Sequence, residues 1–384
     1  MSWALLLYLI AGYWTLRIAV SHFRVLQDHW IVSTSSYSDT PAPSAEVSAC
    51  VPARNEEAVI GSCVQSIRGQ DHGGLRQLVL VDDCSSDKTS EQARKAARGD
   101  PRLQILVGAG PPDGWMGKSA ACWRAQQEAQ GEWLLFVDAD VELHPRALSV
   151  ALAAARQYGS DMVSWFGQLR TETFWEHVLM PFIGDFILLA SPLKRVNDPL
   201  RDDCIANGQF ILIRRSAYDA VDGHRAIRSS VIDDVSLSRS VKHDPSQELR
   251  YTLLHSLGLM KVRMYESFSE IWRGFAKNFF AAAQQKAGLL FGAVCFILIT
   301  SVLPWLALPL LWLSGDSAGA AAAGLAVAAT LSLRLYTLRF SPVPGWTLLF
   351  HPIAAVVTCG IMIDSTLRGL GLLGPVAWKG RPVS

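Results

Sequence analysis

The chain alternates short apolar runs with polar loops through its middle and becomes almost wholly apolar towards both ends. Val47 to Val51, Leu78 to Val81, Leu103 to Val107, Trp133 to Val137, Met162 to Phe166 and Phe210 to Ile213 have the length and content of strands. The run from Trp133 to Val137 is apolar at every position, which marks a strand covered on both faces. Ala58 to Arg68 and Ser90 to Arg98 have helical spacing instead. Strand and helix alternating at this pace predict an α/β domain, a mostly parallel sheet with helices on both faces. Four strands end in polar loops: Pro52 to Glu57, Asp82 to Ser86, Gly114 to Ser119 and Asp138 to Asp140. In a parallel sheet these loops share one edge, where ligands of open α/β sheets bind.

The apolar ends predict a membrane protein. Trp3 to Val20 is interrupted only by Arg17 and lacks the basic leader and cleavage site of a signal peptide, so it reads as a retained anchor. An amphipathic helix lying in the interface is the alternative. Gly288 to Leu313 carries no charge, and a bilayer core needs only about 20 helical residues. Pro304 and Pro309 predict a kink there, tolerable inside a bundle. A polar turn, Ser314 to Ser317, leads to the Ala-rich stretch Ala318 to Leu333, and Trp346 to Ile363 is a further apolar segment. Trp175 to Leu189, aromatic and apolar, reads either as an interfacial helix that admits a lipid or as a core helix.

Basic residues near the span ends (Arg17, Arg24, Arg273, Lys277, Lys286, Arg334 and Arg339) put the middle domain in the cytoplasm and the chain in the cell (inner) membrane as a multi-pass protein. Four full spans would leave Arg368, Lys379 and Arg381 outside, against the same rule. Either the last segment is re-entrant or one apolar stretch lies in the interface. The expected organisation is an anchor over 1–24, a linker over 25–44 whose Ser33 to Ser44 is rich in Ser, Thr and Pro, an α/β domain over 45–286, and membrane segments with a short basic tail over 287–384.

Charge and cysteine content narrow the chemistry. The 384 residues carry 35 basic and 34 acidic side chains, a net charge of +1 that gives no footprint for nucleic acid. The seven cysteines show neither CxxC spacing nor a nearby His cluster, so neither a zinc site nor a disulfide framework is expected. Gly117-Lys118-Ser119 has the end of a phosphate-binding P-loop, but the first glycine of that pattern falls on Pro112, which has no N–H to offer. Lys118 near a helix N-terminus still suits an anion. Asp138-Ala139-Asp140 can hold a hard divalent cation that bridges a diphosphate, or can be an ordinary strand-end turn. Asp233 and Asp234 open a helix, and N-capping explains one carboxylate better than two. His224, in Asp222-Gly223-His224, reads as a turn residue.

Taken together, VPARNEE, VDDCSSDKT, GWMGKS, FVDADV, ANGQF and VIDDVSL, in this order over roughly Ala45 to Phe280, resemble family 2 glycosyltransferases of the GT-A fold. The likeness is greatest to membrane enzymes that glycosylate lipids, such as ceramide glucosyltransferases and the hopanoid- and carotenoid-associated transferases. The resemblance implies an inverting enzyme using a nucleotide sugar, a UDP-sugar by that likeness, with Mg²⁺ or Mn²⁺ and a lipid acceptor. It assigns Pro52, Arg54, Glu56, Asp82, Asp83, Lys118, Asp138, Arg273 and Lys277 to the donor, with Asp83 at the uracil edge. Asp140, with Asp138, would hold the metal. Asn207, Gly208, Gln209 and Trp272 would border the acceptor, and Asp234 would be the general base beside Asp233. Two departures stand out: Asp233 replaces the family's more usual Glu, and the Gln-x-x-Arg-Trp motif of many relatives is missing. A processive polysaccharide synthase and a non-catalytic nucleotide-sugar binder are the alternative readings.

Overall fold

The structure, a computed structural model, describes residues 3–26, 30–38, 44–246, 248–338, 342–378 and 381–383. Arg339, Lys379, Gly380 and part of the Ser33 to Ser44 stretch lie outside them. Contacts divide the chain into two compact units, one of Trp30–Arg170 with Ala190–Met264, the other of Met1–His29, Thr171–Leu189 and Tyr265–Ser384. Residues 171–189 and 265–286, expected with the α/β domain, thus belong to the second unit.

The first unit is built on β1 (Ile31–Ser33), β2 (Val47–Ala53), β3 (Leu75–Asp82), β4 (Leu103–Val107), β5 (Trp133–Val137), β6 (Val141–Leu143), β7 (Met162–Phe166), β8 (Gln168–Leu169), β9 (Phe210–Arg214), β10 (Tyr251–Leu257) and β11 (Met260–Val262). Eight strands form one sheet in the order β1-β10-β7-β9-β5-β2-β3-β4. Every pairing is parallel except those of β9, which runs against both β5 and β7. A small second sheet joins β6, β11 and β8. β1 departs from the sequence reading: it falls in the stretch read as linker and closes the sheet edge on β10.

Successive residues of the central strands enter two different cores. Val51, Leu80, Leu135 and Val163 pack on one face with the helices Ile60–Arg68 and Ala147–Tyr158, while Cys50, Val81, Phe136 and Ile211 pack on the other with Gly117–Glu128. Both faces are therefore dry, which is why these strands show no polar alternation. Each fully buried Leu or Val stabilises by roughly 1.5–3 kcal/mol relative to exposure.

The second unit is helical. Ala287–Leu313, Ser317–Thr337 and Gly345–Gly369 are long and apolar enough to cross a membrane, whereas the apolar stretch of the first helix, Leu5–Arg17, is shorter. A π-helical turn, Leu298–Val302, breaks the first of these just before Pro304, whose missing N–H removes a helical hydrogen bond. Leu7, Ala11 and Trp14 pack on Ala322, Ala323 and Ala326, small residues that let two backbones approach. In the same unit Asp185 accepts hydrogen bonds from Arg334 and from the Thr337 hydroxyl.

Candidate active site

Strand direction brings the polar loops together. β2, β3, β4 and β5 are mutually parallel, so the residues that follow them lie at one edge of the sheet. β9 runs the other way and enters from that same edge, with Phe210 paired to Val137, which sets Asn207 to Gln209 beside Asp138 to Asp140.

Lys118, at the first turn of the helix Gly117–Glu128, reaches across this edge. Its Nζ lies 2.6 Å from Asp138 Oδ1 and 3.9 Å from Asp233 Oδ2. Burial works against its charge, but Asp138 and Asp233 outweigh it and hold the ammonium well above the usual lysine range. Next to Asp233, Asp234 accepts the Gly208 N–H at Oδ2 (2.9 Å) and the Val235 N–H at Oδ1 (2.8 Å). Burial and the Asp233 charge push its carboxyl up to about 6, while Lys118 and the two N–H donors pull the other way. Gly208 is tightly seated: a Cβ there would stand 2.9 Å from Lys118 Nζ and 3.3 Å from Asp234 Oδ2. Asn207 and Gln209 are occupied with local structure, since the Asn207 amide donates to Trp165 O and to Gln209 Oε1.

A second cluster is formed by the loops after β2 and β3. Arg54 donates to the carbonyls of Asp83 (2.6 Å) and Cys84 (3.3 Å). The backbone N–H groups of Asn55, Glu56 and Glu57 donate to Ser85, Thr89 and Asp87, so the VDDCSSDKT segment is clamped by its own short polar side chains. Asp82 closes the same loop, accepting from the Ser85 N–H and the Ser90 hydroxyl. Pro52 is a β2 residue, paired with Val81. Asp83 is buried, with Oδ1 set against Gly108, where a Cβ would lie 3.6 Å from it.

The two clusters meet around Cys63, whose thiol points to the Asp138 carbonyl at 3.5 Å. Burial first, then the charges of Asp140, Asp138, Glu56 and Glu142, drive that thiol far above its ordinary range. Asp138 and Asp140 present hard oxygen ligands of the kind Mg²⁺ and Mn²⁺ take. Among the described residues no cluster of three or more metal-ligating side chains exists. A site of one or two carboxylates completed by phosphate oxygens and water is the usual arrangement for Mg²⁺, and these residues fit it.

Trp272, Arg273 and Lys277 sit on the helix Phe268–Ala282 of the second unit. There the Trp272 indole N–H donates to Asp364 Oδ2 at 2.9 Å, and Arg273 donates to Ser269 O at 3.1 Å. The first bond ties two helices of that unit, and the second lies within one helix.

The profile of glycosyl transferase family 2 matches residues 48–222, which hold both clusters except Asp233 and Asp234. Residues 48–222 form a glycosyl transferase family 2 domain. The chain is 26% identical over 236 residues to a 4,4'-diaponeurosporenoate glycosyltransferase of Staphylococcus haemolyticus, covering 60% of each chain. To the protein of the same name from Staphylococcus aureus it is 25% identical over 344 residues, covering 87% of each. A mannosyltransferase of Pyrobaculum calidifontis, solved with GDP-Man and Mn²⁺, superimposes with a TM-score of 0.52 at 17% identity over 95% of this chain and 99% of its own. That likeness establishes the GT-A fold of this glycosyltransferase.

One residue beside this site escapes sequence reasoning. His224, read as a turn residue, follows the turn but is buried: it is 2% exposed, with Nε2 4.0 Å from Asp233 Oδ2 and Nδ1 2.9 Å from the Tyr218 hydroxyl. The only sequence signal was Asp222-Gly223 ahead of it, where Asp222 at φ 56° and Gly223 at φ 42° turn the chain inward.

Proposed function

We propose that this glycosyltransferase moves a sugar from a nucleotide donor, a UDP-sugar, to a lipid hydroxyl or carboxyl at the cytoplasmic face of the membrane, inverting the anomeric centre. The observation that carries the reading is the contact set of Lys118, Asp138, Asp233, Asp234 and Gly208 at the edge where the donor loops end. Asp234 is the general base. Each of its oxygens accepts one backbone N–H and keeps a second lone pair for the acceptor proton, and its raised pKa makes it a stronger base than a solvated carboxylate.

Asp83 meets the uracil edge, with Pro52, Arg54, Glu56 and Asp82 shaping the loop that holds it there. Asp138 and Asp140 would hold a divalent cation, Mg²⁺ or Mn²⁺, which would supply charge neutralisation to the departing diphosphate. Lys118 adds a second positive charge. One unit charge at about 4 Å and an effective dielectric near 20 contributes on the order of 4 kcal/mol. Asn207, Gly208 and Gln209 border the acceptor. The lipid acceptor is supported by the staphylococcal relatives, whose names specify an apolar carboxylate, and by the three long apolar helices.

Membranes containing the full chain are incubated with labelled UDP-sugars, lipid extract and Mg²⁺ or Mn²⁺. The expected product is a labelled lipid, lost by at least about 10²-fold in Asp234→Asn and abolished by chelation. Label entering polymer would make the protein a synthase, and equal activity in Asp234→Asn would remove the base assignment.

A further inference from the structure

We infer that His224, locked by Tyr218 in its Nε2–H tautomer, is a positioning residue that aims Asp233 and, through it, the base Asp234. The inference rests on the proposed role of that acid pair and adds a layer behind it.

The hydrogen bonds determine the tautomer. The Tyr218 oxygen accepts the His224 backbone N–H at 3.0 Å. Its own O–H then needs an acceptor, and the only partner among the described hydrogen bonds is His224 Nδ1 at 2.9 Å. With Nδ1 accepting, the ring proton of the neutral imidazole is on Nε2. That nitrogen faces Asp233 Oδ2 at 4.0 Å, an approach that tightens to a hydrogen bond with a sub-ångström shift on substrate binding. Lys118 Nζ addresses the same oxygen from 3.9 Å, so one carboxylate oxygen lies between two donors. Burial brings the ring down to about 4, with Asp233 favouring and Lys118 opposing its charge, so the ring is neutral at physiological pH.

The mount is rigid. Tyr218 stacks on Phe136 with centroids 5.5 Å apart, and the His224 ring meets the same Phe136 edge-on at 4.9 Å. Phe136 is two residues before Asp138 on β5, so the strand that delivers Asp138 also supports the ring. A Cβ on Gly223 would stand 2.1 Å from the Tyr218 ring, which leaves the ring no room to withdraw. Asp233 held in place stays beside Asp234, and its proximity makes Asp234 more basic.

The test uses membranes containing the whole chain, with the labelled UDP-sugar and lipid extract of the transfer assay. Tyr218→Phe keeps the ring stack and removes only the hydroxyl; His224→Phe keeps the aromatic contact and removes the donor; His224→Gln restores an N–H near Nε2. Expected are kcat losses of about tenfold in Tyr218→Phe and His224→Phe with donor KM within about twofold, and recovery to within about threefold in His224→Gln, all three melting near the wild type. Wild-type kcat in both Tyr218→Phe and His224→Phe would overturn the inference while Asp234→Asn stays inactive. So would losses that track melting temperature and are not rescued by glutamine. Activity in Asp234→Asn would instead remove the acid-pair reading beneath it.

Discussion

Asp234 and Gly208 are where single atoms decide the outcome. A base must be ionised to act, and the Asp234 carboxyl is pushed up to about 6 by burial and by Asp233. Below that pH the ionised fraction falls tenfold per unit, so kcat/KM is expected to decline with unit slope on the acid side of about pH 6. A solvated aspartate, ionising near 3.9, would keep the rate flat to about pH 4, and a profile flat at pH 5 would contradict the assignment. Gly208→Ala tests the packing instead. The new Cβ would meet Lys118 Nζ at 2.9 Å, but that tip is flexible and can move aside, so stability should change by less than about 1 kcal/mol. Lys118 would then leave the oxygens of Asp138 and Asp233, and transfer is expected to fall about tenfold or more with little change in melting temperature.

Among the elements, the strands with unbroken apolar runs were legible from sequence, because burial on both faces leaves a one-dimensional signature. β10 was not. Its run Tyr251-Thr252-Leu253-Leu254-His255-Ser256-Leu257 carries buried polar side chains that only its neighbours satisfy: Thr252 pairs with Ser160, and the Ser256 hydroxyl donates to Phe166 O. The loops after β2 and β3 were placed correctly on one edge, yet their Ser, Thr and Asp side chains spend themselves on each other's backbone, a pairing that needs both loops in space. Likewise Arg334 looked like a basic residue closing an apolar helix. It is 4% exposed and bonded to Asp185 on the helix Phe174–Ala190, inside the helical unit. Removing one charge from such a pair strands the other without water, so Arg334→Met is expected to destabilise the protein by roughly 3–5 kcal/mol. Replacing both, as Asp185→Leu with Arg334→Leu, should cost much less, and thermal unfolding in detergent distinguishes the two.

On the scale of the whole molecule, the membrane topology left one conflict: an odd number of crossings after the α/β domain puts Arg368 and the tail on the wrong side. The packing of the last helix within its own unit bears on it. Cys359 Sγ lies 3.9 Å from Val294 O, in the first long apolar helix. Further along, Ser365 Oγ accepts the Phe280 N–H at 2.9 Å, and Asp364 accepts the Trp272 indole at 2.9 Å. As this helix advances from 359 to 365, its partners retreat from 294 to 280 and 272. Its C-terminal end therefore returns to the side from which Ala287–Leu313 departs, the side of Arg273, Lys277 and Lys286. Arg368, one turn beyond Asp364 and bonded to it, belongs to that side too. Leu373, 43% exposed beyond the helix, is the position to interrogate. In Leu373→Cys a membrane-impermeant maleimide is expected to label position 373 in inside-out vesicles and not in intact cells. Exposed native Cys84 reports the side of the α/β unit in parallel, and Cys84→Ser isolates the new signal. Labelling of position 373 from the outside of intact cells would mean that the last helix completes its crossing, and the antiparallel return would have to be abandoned.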